Sequence, residues 1–302
     1  MKAPLAHLLK GGVKNVAIAQ VNLHGKTALV TGATRGMGKE AATALAMADA
    51  EVVLVSRNRA LCESAAEEIR RDTGNQNVSY LIADLSSQAD VRRVAAEFLA
   101  SGQSLHILLN NAGALFPRFQ ESADGIEMTW ALNHLGYFLL TNLLLDRIRD
   151  SAPARIVNVA SAAHRRARGL NFDDLEFRRH YWGYEAYSQS KLANILFTRE
   201  LARRLRGSTV TVNALHPGFV ASNFGHSGFI YTTALSLMRP FQVSVAEGAR
   251  TAIYLCTAPE VAAISGEYFV DCKIAEPSKY AMDGAAAQRL WEISERYVNA
   301  AH

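Results

Sequence analysis

Short apolar runs alternate with longer amphipathic stretches along most of the chain. Thr27–Thr31 reads TALVT, Glu51–Ser56 reads EVVLVS, and Val78–Ala83 reads VSYLIA. His106–Asn110 (HILLN), Arg155–Ala160 (RIVNVA), Val210–Leu215 (VTVNAL) and Glu267–Val270 (EYFV) follow. These runs are aliphatic or β-branched without strict polar alternation, the pattern of strands buried on both faces. Between them lie helical patterns over Glu40–Ala48, Leu61–Asp72, Gln88–Ala100, Met128–Leu145 and Tyr184–Leu205, and a last one over Ala285–Val298. Such alternation predicts βαβ units. The fold class is therefore α/β, a single-domain doubly wound (Rossmann-type) parallel sheet with helices on both faces. Neither an internal repeat nor a Pro/Ser-rich linker breaks the pattern. The expected organisation is an N-terminal arm over 1–24 and one domain over 25–302 that ends in a tail helix.

Composition narrows the class. Of 302 residues, 49% are hydrophobic and 20% charged, enough to bury a large core and too apolar for extended disorder. The 32 basic and 28 acidic residues leave a net charge of +4, too small a surplus to argue for a nucleic-acid partner. Cys62, Cys256 and Cys272 are odd in number and form no CxxC pair. That argues against a disulfide framework or a zinc site and suits a reducing, cytoplasmic setting. The longest strongly apolar stretch, Leu135–Leu145, contains Thr141 and Asn142 and is shorter than the roughly 20 residues a membrane span needs. The first twenty residues are broken by His7, Lys10, Gly11, Gly12 and Lys14. They read as a loose arm without the continuous apolar core of a signal peptide.

Chemistry enters after the first strand. Gly32-Ala33-Thr34-Arg35-Gly36-Met37-Gly38 lies between that strand and a helix. Glycines there allow a tight turn and a close approach by a diphosphate, which the helix N-terminus attracts. The spacing is GxxxGxG, and the alternative reading is a structural β–α turn. The second strand ends Val55-Ser56-Arg57, with no acid to bind a ribose 2′-hydroxyl. Arg57 and Arg35 are suited to a 2′-phosphate, so NADP(H) is expected over NAD(H). Their plainer reading is solvated surface arginine. After the third strand, Asp84-Leu85 is placed to meet the adenine, or Asp84 to cap the next helix.

Tyr187-Ser188-Gln189-Ser190-Lys191 puts a phenol and an ammonium four residues apart on one helix face. A free tyrosine titrates near 10, and a nearby cation lowers that value. Such a pair serves as general acid/base on an alcohol or carbonyl oxygen. Ser161 follows the fifth strand, and Asn110-Asn111-Ala112-Gly113 closes the fourth, both at strand ends where open parallel sheets bind ligands. Asn133 falls within the helical stretch WALNHLG, where Asn is mildly unfavourable. It reads either as a satisfied polar residue or as a local kink that binds a water.

Together these segments resemble the short-chain dehydrogenase/reductase family: TGATRGMG at 31–38, NNAG at 110–113, Asn133, Ser161, YSQSK at 187–191 and PGFV at 217–220. The resemblance covers about Gly25 to Val270. It implies a nicotinamide cofactor and a tetrad in which Tyr187 is the acid/base. Lys191 lowers its pKa and holds the nicotinamide ribose, Ser161 polarises the carbonyl and Asn133 holds a relay water. It places Asn111, Ala112, Gly113, Pro217, Gly218, Val220 and Ser222 beside the cofactor, with Ser222 where many relatives have Thr. NHLGYFLLTNLLLD, LNFDDLEF and RLWEISE are similar to the retinol-dehydrogenase-like branch, which acts on retinoids and other lipophilic carbonyls and often prefers NADP(H).

Specificity is expected in Ala221–Val243, an apolar segment with Phe224 and Tyr231 that suits a substrate lid or a helix packed on the core. His164–Trp182 carries Arg165, Arg166, Arg168, Arg178 and Arg179, which suit an acidic partner or a solvated loop; Phe172, Tyr181 and Trp182 are candidates to line the pocket. The apolar faces of Met128–Leu145 and Tyr184–Leu205 suit a homodimer contact of the kind relatives form, or else meet the sheet and the tail helix. The expected activity is NADP(H)-dependent reduction of a lipophilic aldehyde or ketone. The rivals are a dinucleotide-binding sensor without turnover and a dedicated biosynthetic ketoreductase.

Overall fold

A computed structural model describes residues 21–218 and 244–300. The first twenty residues of the expected arm, the expected lid, and Val220, Ser222, Phe224 and Tyr231 lie outside the described residues. The strands are β1 (Thr27–Thr31), β2 (Glu51–Ser56), β3 (Val78–Ile82), β4 (Ile107–Asn110), β5 (Ala154–Val159), β6 (Val210–His216), β7 (Tyr268–Val270) and β8 (Lys273–Ile274). They form one sheet in the order β3-β2-β1-β4-β5-β6-β7-β8. The pairs from β3 through β7 are parallel, as expected. The β7–β8 pair is antiparallel, a departure from the expected all-parallel sheet. Its turn is Asp271-Cys272, both at positive φ (50° and 61°), which is the two-residue hairpin geometry. Asp is usual at the first position of such a turn, but Cys272 stands where Gly is the common signal.

Alternate residues of the strands feed two apolar layers. Leu29, Val53, Val55, Leu108 and Ile156 face one layer, while Ala28, Val30, Val52, Leu54 and Leu109 face the other. The second layer is covered by α1 (Gly36–Met47), α2 (Arg59–Thr73) and α7 (Val245–Thr257). The first is covered by α3 (Gln88–Ala100), α5 (Gly136–Asp150), α6 (Gly183–Arg204) and α8 (Gly284–Asn299). This is the doubly wound arrangement. In folds of this kind ligands bind outside the carboxyl ends of the strands where the strand order reverses, which here is between β1 and β4.

Two features of the first layer shape the site. A short helix α4 (Met128–Trp130) runs through a π turn, Ala131–Leu135, directly into α5. The π turn falls on Asn133, where the sequence reading weighed a kink. Helix α6 is buried from Ala186 through Thr198 without a break, so it is enclosed on all sides. On the face away from the sheet, Trp291 of α8 stacks on Phe197 with ring centroids 5.9 Å apart. The Arg204 guanidinium covers Trp291 at 4.0 Å. The tail helix thus meets α6 within the one chain, the second of the two readings given for that face.

Candidate active site

The glycine turn after β1 is latched to the end of β4. Thr31 Oγ1 accepts from the N–H groups of Asn111 at 2.8 Å and Ala112 at 3.0 Å, and donates to the Leu109 carbonyl at 3.3 Å. Asn111 Nδ2 donates back to the carbonyls of Thr31 at 2.9 Å and Gly32 at 3.3 Å. The packing beneath the turn leaves room for hydrogen only: a Cβ on Gly38 would sit 2.4 Å from the Gly32 carbonyl oxygen and 2.5 Å from Asn111 Nδ2. The opposite side is open, for a Cβ on Gly36, whose φ is +59°, would meet nothing within 4 Å. Arg35 is the N-cap of α1 and provides no side-chain cap. The first N–H groups of α1, at Gly36, Met37 and Gly38, have no side-chain cap, and with open space beside Gly36 they fit the diphosphate of a dinucleotide.

The two arginines expected near a 2′-phosphate, Arg35 and Arg57, are both exposed, in the segments that follow the neighbouring strands β1 and β2. Asn58, next to Arg57, caps α2 by accepting from the Leu61 N–H. Asp84 does not cap α3; Ser87 does. The Asp84 carboxylate instead accepts from the Ser86 N–H at 3.0 Å and hydroxyl at 2.7 Å, a local turn beyond β3. Leu85 beside it is buried.

Helix α6 carries Tyr187 and Lys191 on one face. The Lys191 ammonium lies 5.6 Å from the centre of the Tyr187 ring and 5.8 Å from that of Tyr137. It donates to the Val159 carbonyl, the last of β5, at 2.9 Å. Burial pushes the Lys191 pKa down to about 7. Asn133 comes to the same place from the π turn. Its Oδ1 accepts from the Ala114 N–H at 2.9 Å, and its Nδ2 donates to the Ala114 carbonyl at 2.9 Å and to Ser190 Oγ at 3.0 Å. The Asn133 amide therefore grips the chain beyond β4. Gly113 is where these groups converge: a Cβ there would lie 3.1 Å from Asn133 Oδ1 and 3.4 Å from Lys191 Nζ. Ser161 starts the 3₁₀ turn Ala162–Arg166 just beyond β5, and its Oγ accepts from the Ala163 N–H at 3.1 Å. Pro217 and Gly218 follow β6 at the same carboxyl edge, with Gly218 at a φ of 82°.

The comparisons with known proteins bear on this arrangement. Residues 26–229 match the family model described as short chain dehydrogenase. The chain belongs to the short-chain dehydrogenase family. It is similar to retinol dehydrogenase 12 of Mus musculus, 43% identical over 279 residues that cover 92% of this chain and 88% of the relative. It is thus a retinol-dehydrogenase-like member of the family. Among solved structures it is similar to an uncharacterized protein from Mycobacterium paratuberculosis. That match has a TM-score of 0.75 and 32% identity, covering 94% of this chain and 97% of the other. A Pseudomonas aeruginosa RhlG/NADP active-site complex has a TM-score of 0.67 and 29% identity, covering 86% and 98%. The chain is therefore an oxidoreductase of a nicotinamide-dependent family.

The short-chain dehydrogenase also engages residues that its sequence did not single out. Thr31 latches the cofactor turn through a hydroxyl inside a strand, a role with no spacing signature. Glu127 is 1% exposed and caps α4, accepting from the N–H groups of Thr129 and Trp130 at 2.8 Å and from the Tyr181 hydroxyl at 3.0 Å. Burial raises its pKa. The single Tyr181 hydroxyl hydrogen is shared between Glu127 and the Phe116 carbonyl, the latter at 2.8 Å, and Phe172 lies under the Arg289 guanidinium at 4.2 Å. Of the three candidate pocket aromatics, Tyr181 and Phe172 thus have partners within the chain. Trp182 is 53% exposed, with Arg166 over its ring at 5.2 Å. Arg178 bonds Glu121 and Glu176, each at 2.7 Å. Arg178 is thus paired within the chain, and Arg166 lies over an aromatic ring. Among the described residues no helix is long and apolar enough to cross a membrane, and no group of three His, Cys, Asp or Glu is placed to hold a metal ion.

Proposed function

We propose that this short-chain dehydrogenase moves a hydride between NADP(H) and a carbonyl or alcohol, working chiefly as a reductase of a lipophilic aldehyde or ketone. The observation that carries the reading is the Lys191 ammonium, buried beside the Tyr187 ring and fixed to the last carbonyl of β5. A cation held there favours the phenolate, so the phenol gives up its proton to a substrate oxygen and recovers it in the reverse direction. The Ser161 hydroxyl, at the end of the same strand, donates to that oxygen as negative charge gathers on it. Asn133 acts by holding Ala114 and Ser190, which keeps the loop after β4 in register with α6; with both amide hydrogens engaged, its side chain could offer a relay water only an acceptor.

Gly32, Thr34, Gly36, Met37 and Gly38 would hold the cofactor diphosphate, and Arg35 and Arg57 its 2′-phosphate. Asp84 and Leu85 would face the adenine. Asn111, Ala112 and Gly113 would run beside the ribose-nicotinamide half. Tyr187 and Lys191 would meet its ribose, and Pro217, Gly218, Val220 and Ser222 the nicotinamide. The bound nicotinamide supplies or accepts the hydride. The absence of an acid after β2 supports NADP(H), as does the likeness to a structure solved as an NADP complex. Likeness to a retinol dehydrogenase supports a lipophilic substrate, with Phe224 and Tyr231 as candidate contacts.

NADPH and NADH oxidation, followed against aldehydes and ketones of rising size up to retinal and steroids, tests the reading. Turnover with NADPH and bulky apolar carbonyls is expected. Preference for NADH would overturn the cofactor assignment. Tight NADPH binding with no turnover across the panel would favour the sensor reading.

A further inference from the structure

His164 is fully buried in the 3₁₀ turn that Ser161 begins. Its two ring nitrogens have different partners. Nδ1 lies 2.7 Å from the Ser161 carbonyl, and Nε2 lies 3.0 Å from the main-chain nitrogen of Ser278. A carbonyl only accepts and an amide N–H only donates. One neutral tautomer, with its hydrogen on Nδ1, satisfies both at once. Burial opposes protonation, with Arg165 and His216 adding to it, and holds the pKa to about 4. The imidazole is therefore neutral under ordinary assay conditions.

The Ser161 carbonyl also accepts from the His164 N–H at 3.1 Å, so two donors from one residue fix it. The ring is held from the other side by the Tyr268 ring of β7, edge-on at 5.1 Å. The adjacent Arg165 donates to the Glu276 carbonyl. Residues 164 and 165 thus stitch the turn after β5 to the segment that follows β8. The peptide that follows Ser161 cannot rotate without breaking this stitch, and the turn it fixes carries the Ala163 N–H from which Ser161 Oγ accepts at 3.1 Å.

We propose that His164 is a positioning residue: its Nδ1–H holds the Ser161 carbonyl and so aims the Ser161 hydroxyl at the substrate oxygen. This rests on the role proposed above for Ser161. The bond to Ser278 selects the tautomer and supplies a fixed point outside the sheet.

The two ends can be separated by substitution. An Asn amide reaches the place of Nδ1 and keeps the donor to Ser161, whereas a Gln amide reaches the place of Nε2 and keeps only the contact to Ser278. We expect H164Q to lower kcat roughly tenfold to a hundredfold, the scale of a slightly misplaced catalytic group. KM and the NADPH dissociation constant should stay within about twofold. H164N restores most of kcat. In a Ser161→Ala background H164Q costs nothing further, because the group it aims is gone. Equal losses in H164N and H164Q would overturn the proposal. So would a loss that persists in full without the Ser161 hydroxyl, or an H164Q protein that does not fold beside an active H164N; each makes His164 a structural residue only. Full turnover by the Ser161→Ala single variant is a different result and would instead remove the role given to Ser161.

Discussion

His134 Nε2 and Ser294 Oγ are hydrogen-bonded at 2.8 Å, joining the π turn next to Asn133 to the last helix of the chain. Both residues are fully buried. Trp130, Phe138 and Phe197 surround the imidazole, with ring centroids 4.6, 6.3 and 6.3 Å away. Removing one partner strands a polar group in an apolar setting, at about 1–3 kcal/mol. Ser294→Ala is expected to lower stability by that amount, read from urea midpoints. A variant as stable as the parent would show that the bond contributes nothing to the anchoring of α8.

Acid should weaken the folded state before its carboxylates titrate. Burial lowers the pKa of His134 to about 3 and of His164 to about 4, and those of His106 and His216 shift the same way. An unfolded histidine takes up a proton near pH 6.5. Below that value the unfolded chain binds protons that the folded chain refuses. Stability therefore falls as pH drops from about 6.5 toward the folded values, and these groups add no slope above it. Urea midpoints that stay constant between neutral pH and about pH 5 would contradict the neutral buried imidazoles.

Tyr187→Phe keeps the ring and deletes the proton donor. Turnover is expected to fall by about 10²–10⁴, the usual contribution of a positioned general acid. The NADPH dissociation constant should move little, since on the reading proposed above the hydroxyl would supply only part of the ribose contact. A variant that keeps a tenth or more of the parental kcat would reassign the acid.

The glycines of the cofactor turn separate folding from binding. Gly38→Ala drives a Cβ into the Gly32 carbonyl and the Asn111 amide, neither free to move. It is expected to cost about 1–3 kcal/mol of stability. Gly36→Ala meets open space and pays only for its left-handed backbone, about 1–2 kcal/mol, but it would fill the approach proposed for the diphosphate. Both variants should lose NADPH affinity, with Gly38→Ala also the less stable. Unchanged dinucleotide affinity in Gly36→Ala would move the diphosphate elsewhere.

Arg57→Asp tests the choice of cofactor. A 2′-phosphate facing an aspartate is repelled, whereas a 2′-hydroxyl is welcomed. The NADPH dissociation constant is expected to rise about tenfold or more, the size of a lost charge-assisted contact. NADH binding should hold or improve. Equal effects on both would leave Arg57 as a solvated surface residue.

What the sequence revealed follows from how local each signal was. The buried runs and the glycine turn are contiguous, and β1 through β7 fall within a residue or two of the runs that predicted them. The first helix starts at Gly36, four residues before its periodic pattern, because the turn itself enters the helix uncapped. The β7–β8 hairpin was hidden by its length and by a turn built from Asp271 and Cys272. Tyr187 and Lys191 were legible because one helix fixes their spacing. Thr31 and His164 were not, since each meets a main-chain nitrogen far away in sequence, 80 residues for Asn111 and 114 for Ser278, and Glu127 was not, because the helix it caps is only three residues long and its bond to Tyr181 spans 54 residues. Asn133 was legible as a position, but the use of its amide on Ala114 depends on a loop whose path no pattern encodes.

The latch between Thr31 and Asn111 has a kinetic meaning. Every bond in it joins atoms of the chain itself, so the conformational entropy of the cofactor turn is spent when the sheet folds. On the proposed reading a dinucleotide diphosphate would meet a turn that these bonds have already ordered, so this part of its association would need no rearrangement. Affinity differences among variants of the turn should consequently surface as changes in residence time.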